Sequence, residues 1–405
     1  MTVPPSRHSI PEQAAPRHDA KVIAKGAGVN LLGTLARTIK SASFILMTRL
    51  FGAEVFGLYV LGWSVIDLLS RFSMFGLEKG VMKFAIQHRV DKNEDAVHRT
   101  LGEAILVGLI VSAVMTGLSY VVAPVIAVHV FHKPELTRGL RILTFSIPFL
   151  TLSHVLLAAS KSLKIMRFEA YVKSIAEPLV MFAAAGLCFV IGWRFSGITF
   201  AHLAAAAGGT VFALYCFRRL FSLKACVRGM RSVHLWSEMT RFSLPVVCYD
   251  LLYILMMRLD ALMLGYYLPA VQVGIYGIAV EIALLTKKIR HWFEPIFVPI
   301  ISELHHQRQM NRLEENFSLV TRWFLTITIP FFFGIVLIGR DLLAVFGPEF
   351  TVGGLSLTLL TLSQILYGSM GSGDLLLMMA GHPYLNLMNT ALVLVLNFGL
   401  GLFLI

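Results

Sequence analysis

Long apolar runs recur along the whole chain, separated by short polar segments that are mostly basic. Ala104 to Val128, Ile175 to Gly192 and Leu325 to Ile338 are three of them. They approach the roughly 20 residues that take an α-helix across hydrocarbon. They are too long and too Gly-rich for barrel strands, which would alternate apolar with polar residues. The pattern predicts eleven transmembrane helices, near 22–50, 54–87, 101–127, 138–160, 170–192, 197–217, 236–265, 271–300, 317–339, 352–380 and 384–405. The expected fold is all-α: a polytopic transmembrane helical bundle.

Composition agrees. Hydrophobic residues make up 57% of the chain and charged residues 14%, with a mean hydropathy of +0.74. A soluble domain is about one-quarter charged. The net charge of +12 would suggest nucleic acid in a soluble chain, but the positions of the basic residues give another reason for it. On alternate loops, 21 Lys and Arg residues fall on the side of the N-terminal tail and 6 on the other. Basic loops stay in the cytoplasm, so the N-terminus is expected there and nucleic acid is not an expected partner. Residues 1–20 are polar and Pro-rich, unlike a cleavable signal peptide.

The chain also repeats itself. Phe56-Gly57-Leu58-Tyr59 opens the second expected helix and Val273-Gly274-Ile275-Tyr276 the eighth, 217 residues later. At an offset of 215, Leu140 to Ala170 falls on Leu355 to Leu385 with apolar and small positions largely in register. Both copies enter from the same side, as parallel repeats do. The expected organisation is a tail (1–21), an N-lobe of six helices (22–217), a basic cytoplasmic linker (218–235) and a C-lobe (236–405). A second lobe as long as the first would run to about residue 434, so the expected C-lobe is incomplete, with about five helices.

Several of these stretches resemble a known family. Thr48 to Tyr59 (TRLFGAEVFGLY) looks like the first external turn of the polysaccharide transporters. These O-antigen flippase-like proteins belong to the multidrug/oligosaccharidyl-lipid/polysaccharide (MOP) exporter superfamily. Arg241-Phe242-Ser243-Leu244-Pro245, Val273 to Tyr276, Phe346-Gly347-Pro348-Glu349-Phe350 and the tail from Gly381 agree. The resemblance implies a V-shaped, two-lobed, MATE-like transporter of twelve to fourteen helices in the inner membrane. It would flip an undecaprenyl-diphosphate-linked oligosaccharide for cell-surface polysaccharide or lipopolysaccharide synthesis. Polysaccharide polymerase or glycosyltransferases would be partners beside the membrane lipids. A cation-coupled multidrug exporter of the same superfamily, and a non-transporting scaffold of a glycan assembly complex, are the alternatives.

No phosphate-binding loop, zinc-protease motif or nucleophile elbow occurs, so neither an enzyme nor an ATP-driven pump is expected. The four cysteines have no metal-ligand spacing and read as packed thiols, and no cofactor is implied. Candidate chemistry lies instead in charges within the apolar spans, each costing a few kcal/mol at mid-membrane. Arg37 shares a helix face with Asn30, Thr34 and Ser41, and Lys40 sits beside it. Ser64, Asp67, Arg71, Met74 and Glu78 form a second such face, with Asp67 and Arg71 paired at i,i+4. Glu281 and Lys288 form a third, and the repeat sets Lys288 on Arg71.

A cationic cavity of Arg37, Lys40, Arg71 and Lys288 would hold a diphosphate. The competing reading has Arg71, Lys79, Lys287, Lys288 and Arg290 snorkelling to headgroups. Asp67, Glu177, Asp250, Asp260, Glu281 and Asp374 are candidates for ion coupling or pairing. Asp250 and Asp374 have no base nearby in sequence, and Arg258 is expected to pair locally with Asp260 or Asp250. Trp323-Phe324 and Phe331-Phe332-Phe333 are expected in interface belts or against lipid.

Overall fold

A computed structural model describes residues 38–163, 165–229, 236–307, 309–369 and 383–404. Its helices in chain order are α1 (Thr38–Met74), α2 (Leu77–Val90), α3 (Glu94–Val125), α4 (Leu136–Thr144), α5 (Ser146–Ser162), α6 (Arg167–Tyr171), α7 (Glu177–Val190), α8 (Phe195–Arg218) and α9 (Leu223–Gly229). There follow α10 (Trp236–Tyr267), α11 (Ala270–His306), α12 (Met310–Ala344), α13 (Gly354–Ser369) and α14 (Pro383–Leu404). No strand occurs among the described residues, and eight described helical segments are long and apolar enough to cross a membrane. The first expected helix begins outside the described residues.

Sequence chemistry explains where the helices bend. Gly52 interrupts α1 with φ 78° and ψ 171°, a conformation closed to residues with a Cβ. The two expected helices 22–50 and 54–87 are therefore divided at one residue. The second of these breaks again at Phe75 and Gly76, where φ is 44° and 64°. Helix α3 starts where the Asn93 side chain accepts a hydrogen bond from the Ala96 N–H at 3.0 Å, with Glu94 and Asp95 in the positive first turn. Pro124 near its end is followed by a π-helical turn at Ile126–Val130. A second π-helical turn, Val172–Ala176, joins α6 to α7.

The described residues fall into two compact units. The larger holds the chain up to Gly277, together with Val345–Phe350 and the last helix from Asn389. One of its cores packs Leu77, Val81, Leu101, Ala104, Val155 to Ala159, Val172 and Phe217. Another packs Leu58, Leu61, Leu136, Leu140, Leu143, Ile147, Ala270 and Val273. In the second core the two repeat signatures meet. A Cβ on Gly57 would lie 1.8 Å from the Ala270 carbonyl oxygen, and one on Gly274 would lie 2.3 Å from that of Ala53. Ala53-x3-Gly57 and Ala270-x3-Gly274 are the same small-residue pattern 217 residues apart, and they let the two backbones touch.

The smaller unit holds Ile278–Ala344 and Thr351–Met388. Here α12 packs along α13, with Leu357 and Thr361 fully buried and the Phe324 ring pressed on Gly368. Phe324 is thus a core residue and not part of a lipid-facing belt, whereas Phe333 is 58% exposed. Buried Thr328 and Asn316 donate to the carbonyls of Phe324 and Arg312 one turn back, satisfying themselves within α12. Exposed apolar side chains cover the outer faces of α3 (Ile110, Val114, Leu118, Val121), α7 (Leu179, Phe182, Leu187, Val190) and α14 (Val395, Leu396, Phe403). Only a hydrocarbon surround leaves such faces without a penalty.

Candidate functional site

Within the larger unit lies a cavity of about 370 Å³, and its wall is neither apolar nor of one charge. From α1 it receives Ser43, Phe44, Met47, Tyr59, Trp63, Asp67, Ser70, Arg71 and Met74, where steps of three and four keep one helix face inward. Leu150 and His154 come from α5, Glu169 from α6, and Lys173 from the π-helical turn. Glu177, Pro178 and Met181 come from α7, and His202, Ala205 and Ala206 from α8.

Asp67 organises one wall. Its carboxylate is 10% exposed and its Oδ2 accepts from Arg258 Nε at 3.0 Å and Nη2 at 2.8 Å. The expected i,i+4 partner, Arg71, approaches Oδ1 only to 3.9 Å. Two guanidiniums therefore share one carboxylate, and the group carries a surplus positive charge. Arg258 also lies 6.0 Å from the Trp63 ring centre, within cation–π range. The local pairing expected for Arg258 is thus corrected: its partner is 191 residues away. Asp260 accepts instead from the Tyr276 hydroxyl at 2.9 Å.

Asp250, with no base nearby in sequence, finds one far along the chain. It holds Lys79 at 2.6 Å, so it has a base on another helix and Lys79 has an acid. Glu78 does not continue the Asp67 face, because the break at Phe75 and Gly76 turns it elsewhere. It accepts from His154 Nδ1 at 3.2 Å and from Lys161 Nζ at 2.9 Å, and Lys161 also holds Glu169 at 2.7 Å. Glu177 pairs with Lys173 at 2.6 Å.

An aromatic wall completes the cavity. The Tyr59 hydroxyl and His202 Nδ1 share a hydrogen bond of 3.0 Å, and the His202 ring sits 4.3 Å from that of Trp63. His154 and His202 escaped the sequence reading. The available signal was an imidazole inside an otherwise apolar helical run, in Leu152-Ser153-His154-Val155 and Phe200-Ala201-His202-Leu203.

Of the other expected cations, Arg37 and the Lys40 side chain lie outside the described residues, as does Asp374. Lys288 and Glu281 are half-buried in the smaller unit and do not line this cavity. The expected residues that the structure brings together are Asp67, Arg71 and Glu177.

The family-like segments of the sequence also meet. The Ala53 N–H, first after the break at Gly52, donates to Glu349 Oε1 at 2.8 Å, and Arg49 Nε donates to the Val345 carbonyl at 2.7 Å. The Phe56 and Phe350 rings pack edge-on.

The family model for polysaccharide biosynthesis protein matches residues 46–351. No curated protein sequence matches. Among solved structures, the inward-facing conformation of a multidrug resistance MATE family transporter of the MOP superfamily is similar at 14% identity. The match covers 90% of this chain and 86% of that one, with a TM-score of 0.75. A MOP superfamily transporter from Pyrococcus furiosus, described by the reverse polarity of its binding pocket, is similar at 13% identity. It matches over 92% and 85% of the two chains with a TM-score of 0.62. This chain is therefore a multi-pass membrane protein that belongs to the polysaccharide biosynthesis protein family and has the fold of the MOP-superfamily transporters.

Proposed function

We propose that the protein moves a lipid-linked oligosaccharide, carried on undecaprenyl diphosphate, across the membrane for surface polysaccharide or lipopolysaccharide synthesis. Family and fold support membrane transport. The observation that carries the finer reading is the composition of the cavity wall. Trp63 and Tyr59 offer ring faces for the C–H faces of sugars, and Asp67 and Glu177 accept from hydroxyls. The surplus guanidinium charge of Arg71 and Arg258 on Asp67 suits an acidic sugar or a diphosphate. At about 370 Å³ the space is within the range of small-ligand sites. Arg37 and Lys40 are proposed as further anion contacts. In this proposal the basic linker 218–235 and the N-terminus lie at the cytoplasmic face of the inner membrane, which the excess of basic residues on that side supports.

The test is translocation of a fluorescent lipid-linked oligosaccharide by the purified protein in liposomes. Transport that Arg71→Ala and Arg258→Ala abolish, at equal reconstitution, is the expected result. A second reading, a cation-coupled multidrug exporter, draws on the three carboxylates Asp67, Glu169 and Glu177 in the same wall. Ethidium efflux without glycan translocation would favour it.

A further inference from the structure

We propose that His154 is a proton-binding residue of the cavity, and that its protonation and the loading of an anionic group favour each other. The proposal rests on the transport reading above for its second half and on geometry alone for its first.

The charge around His154 is not balanced. Glu78 and Glu169 share one ammonium, that of Lys161, at 2.9 and 2.7 Å. With a neutral imidazole the four-membered group Glu169–Lys161–Glu78–His154 has one negative charge in excess. Lys161 and His154 are the more buried members, at 13% and 21% exposed, against 28% for Glu78 and 38% for Glu169. A carboxylate accepts hydrogen bonds only, so the 3.2 Å contact with Glu78 Oε2 requires His154 to carry hydrogen on Nδ1. The base that remains is Nε2. A proton added there makes the imidazole a cation, gives Glu78 a second positive partner and cancels the excess. Imidazole is the side chain whose charge ordinarily changes between pH 5 and 8.

Among the described residues, the other charged groups around the cavity are engaged elsewhere. From α1 the ionisable cavity residues are Asp67 and Arg71, with Arg258 of α10 on the same carboxylate. Lys173 and Glu177 neutralise each other at 2.6 Å. His202 of α8 is tied to Tyr59, and α2 places Lys79 on Asp250. Helix α3, which also packs on α5, carries the buried Glu103. A positive surplus thus lies around Asp67 and a negative one around Glu78, and His154, bonded to Glu78, lines the same cavity as Asp67. A proton at His154 removes the negative surplus, and an anion arriving at the positive one then meets less repulsion. By linkage, the anion holds the proton more tightly in turn.

The test is the initial rate of lipid-linked oligosaccharide translocation in liposomes held at one pH on both sides, from about pH 5.5 to 8.5. The wild type should lose rate about tenfold per pH unit above its midpoint, the slope of a single proton, and His154→Gln should give a flat profile. Glu78→Gln should move the profile towards lower pH and Lys161→Met towards higher pH, shifts that a packing role does not produce. These two variants also decide the matter if His154→Gln does not fold. A profile retained in His154→Gln, or unmoved by both neighbours, overturns the proposal. If the wild type translocates no glycan, the function reading fails on its own. Histidine-selective NMR of the purified protein then decides, since a His154 resonance that does not titrate over this range overturns the proton site and one displaced by Glu78→Gln supports it.

Discussion

The contact between Gly57 and Gly274 gives the sharpest stability prediction. A methyl group at Gly57 would lie 1.8 Å from the Ala270 carbonyl oxygen, and one at Gly274 would lie 2.3 Å from that of Ala53. An ordinary carbon–oxygen contact is about 3.3 Å. The helices must therefore part by about 1.5 Å for Gly57→Ala and about 1 Å for Gly274→Ala. Neither obstacle is a side chain that can rotate away, because both are backbone carbonyls. Overpacking of this kind costs about 1–3 kcal/mol, and Gly57→Ala should fall near the upper end. The two substitutions are relieved by the same separation, so the double variant should cost little more than Gly57→Ala alone. Thermal unfolding of the purified protein in detergent, followed by retention of the monodisperse peak, measures all three. Gly117→Ala and Gly186→Ala are controls, since nothing lies within 4 Å of a methyl group at either position. They should be neutral or slightly stabilising. Melting of Gly57→Ala with the controls, or strict additivity of the pair, would refute the contact.

Three further outcomes follow. Arg258→Met removes two hydrogen bonds from Asp67 but leaves Arg71 at 3.9 Å, and should cost about 1.5–3 kcal/mol; Asp67→Asn in the same chain should recover part of it, as a double-mutant cycle on thermal stability would show. Maleimide at neutral pH should label one thiol per native chain. Cys248 is exposed while Cys188, Cys216 and Cys226 are buried, and burial pushes the Cys226 thiol up to about 11; the label should vanish in Cys248→Ser. In that background, membrane-impermeant reagent applied outside the cell should modify Glu54→Cys and spare Ser222→Cys, and the reverse would invert the proposed topology.

The course of the helices was legible because hydrocarbon demands long apolar runs, and where those runs fall on described residues they follow the helices to within a few positions at most ends. What broke those helices was less visible. A Phe75-Gly76 step does not look different from other Phe-Gly steps, yet it moves Glu78 from the Asp67 face to His154 and Lys161. Pairing at i,i+4 could be read locally, as for Asp67 with Arg71. The stronger partners, Arg258 for Asp67 and Lys79 for Asp250, are separated by 191 and 171 residues. Charge alone names the candidates in such a chain. Only the packing of helices decides which of them are mates.

The π-helical turn at Val172–Ala176 carries a consequence for how this cavity tolerates genetic change. Turns of this kind hold one residue more than an α-helical turn. Loss of a single codon there would let the chain run as a plain α-helix, with the span hardly shortened and its apolar character intact. Everything downstream would turn by about 100° relative to Glu169. Glu177, Pro178 and Met181, which now face the cavity, would face other helices or lipid. A chain with that deletion would still be inserted and counted as expressed, while one wall of its cavity would have been exchanged for another side of the same helix. Scans made of substitutions alone would miss this position; scans that include in-frame deletions would find it.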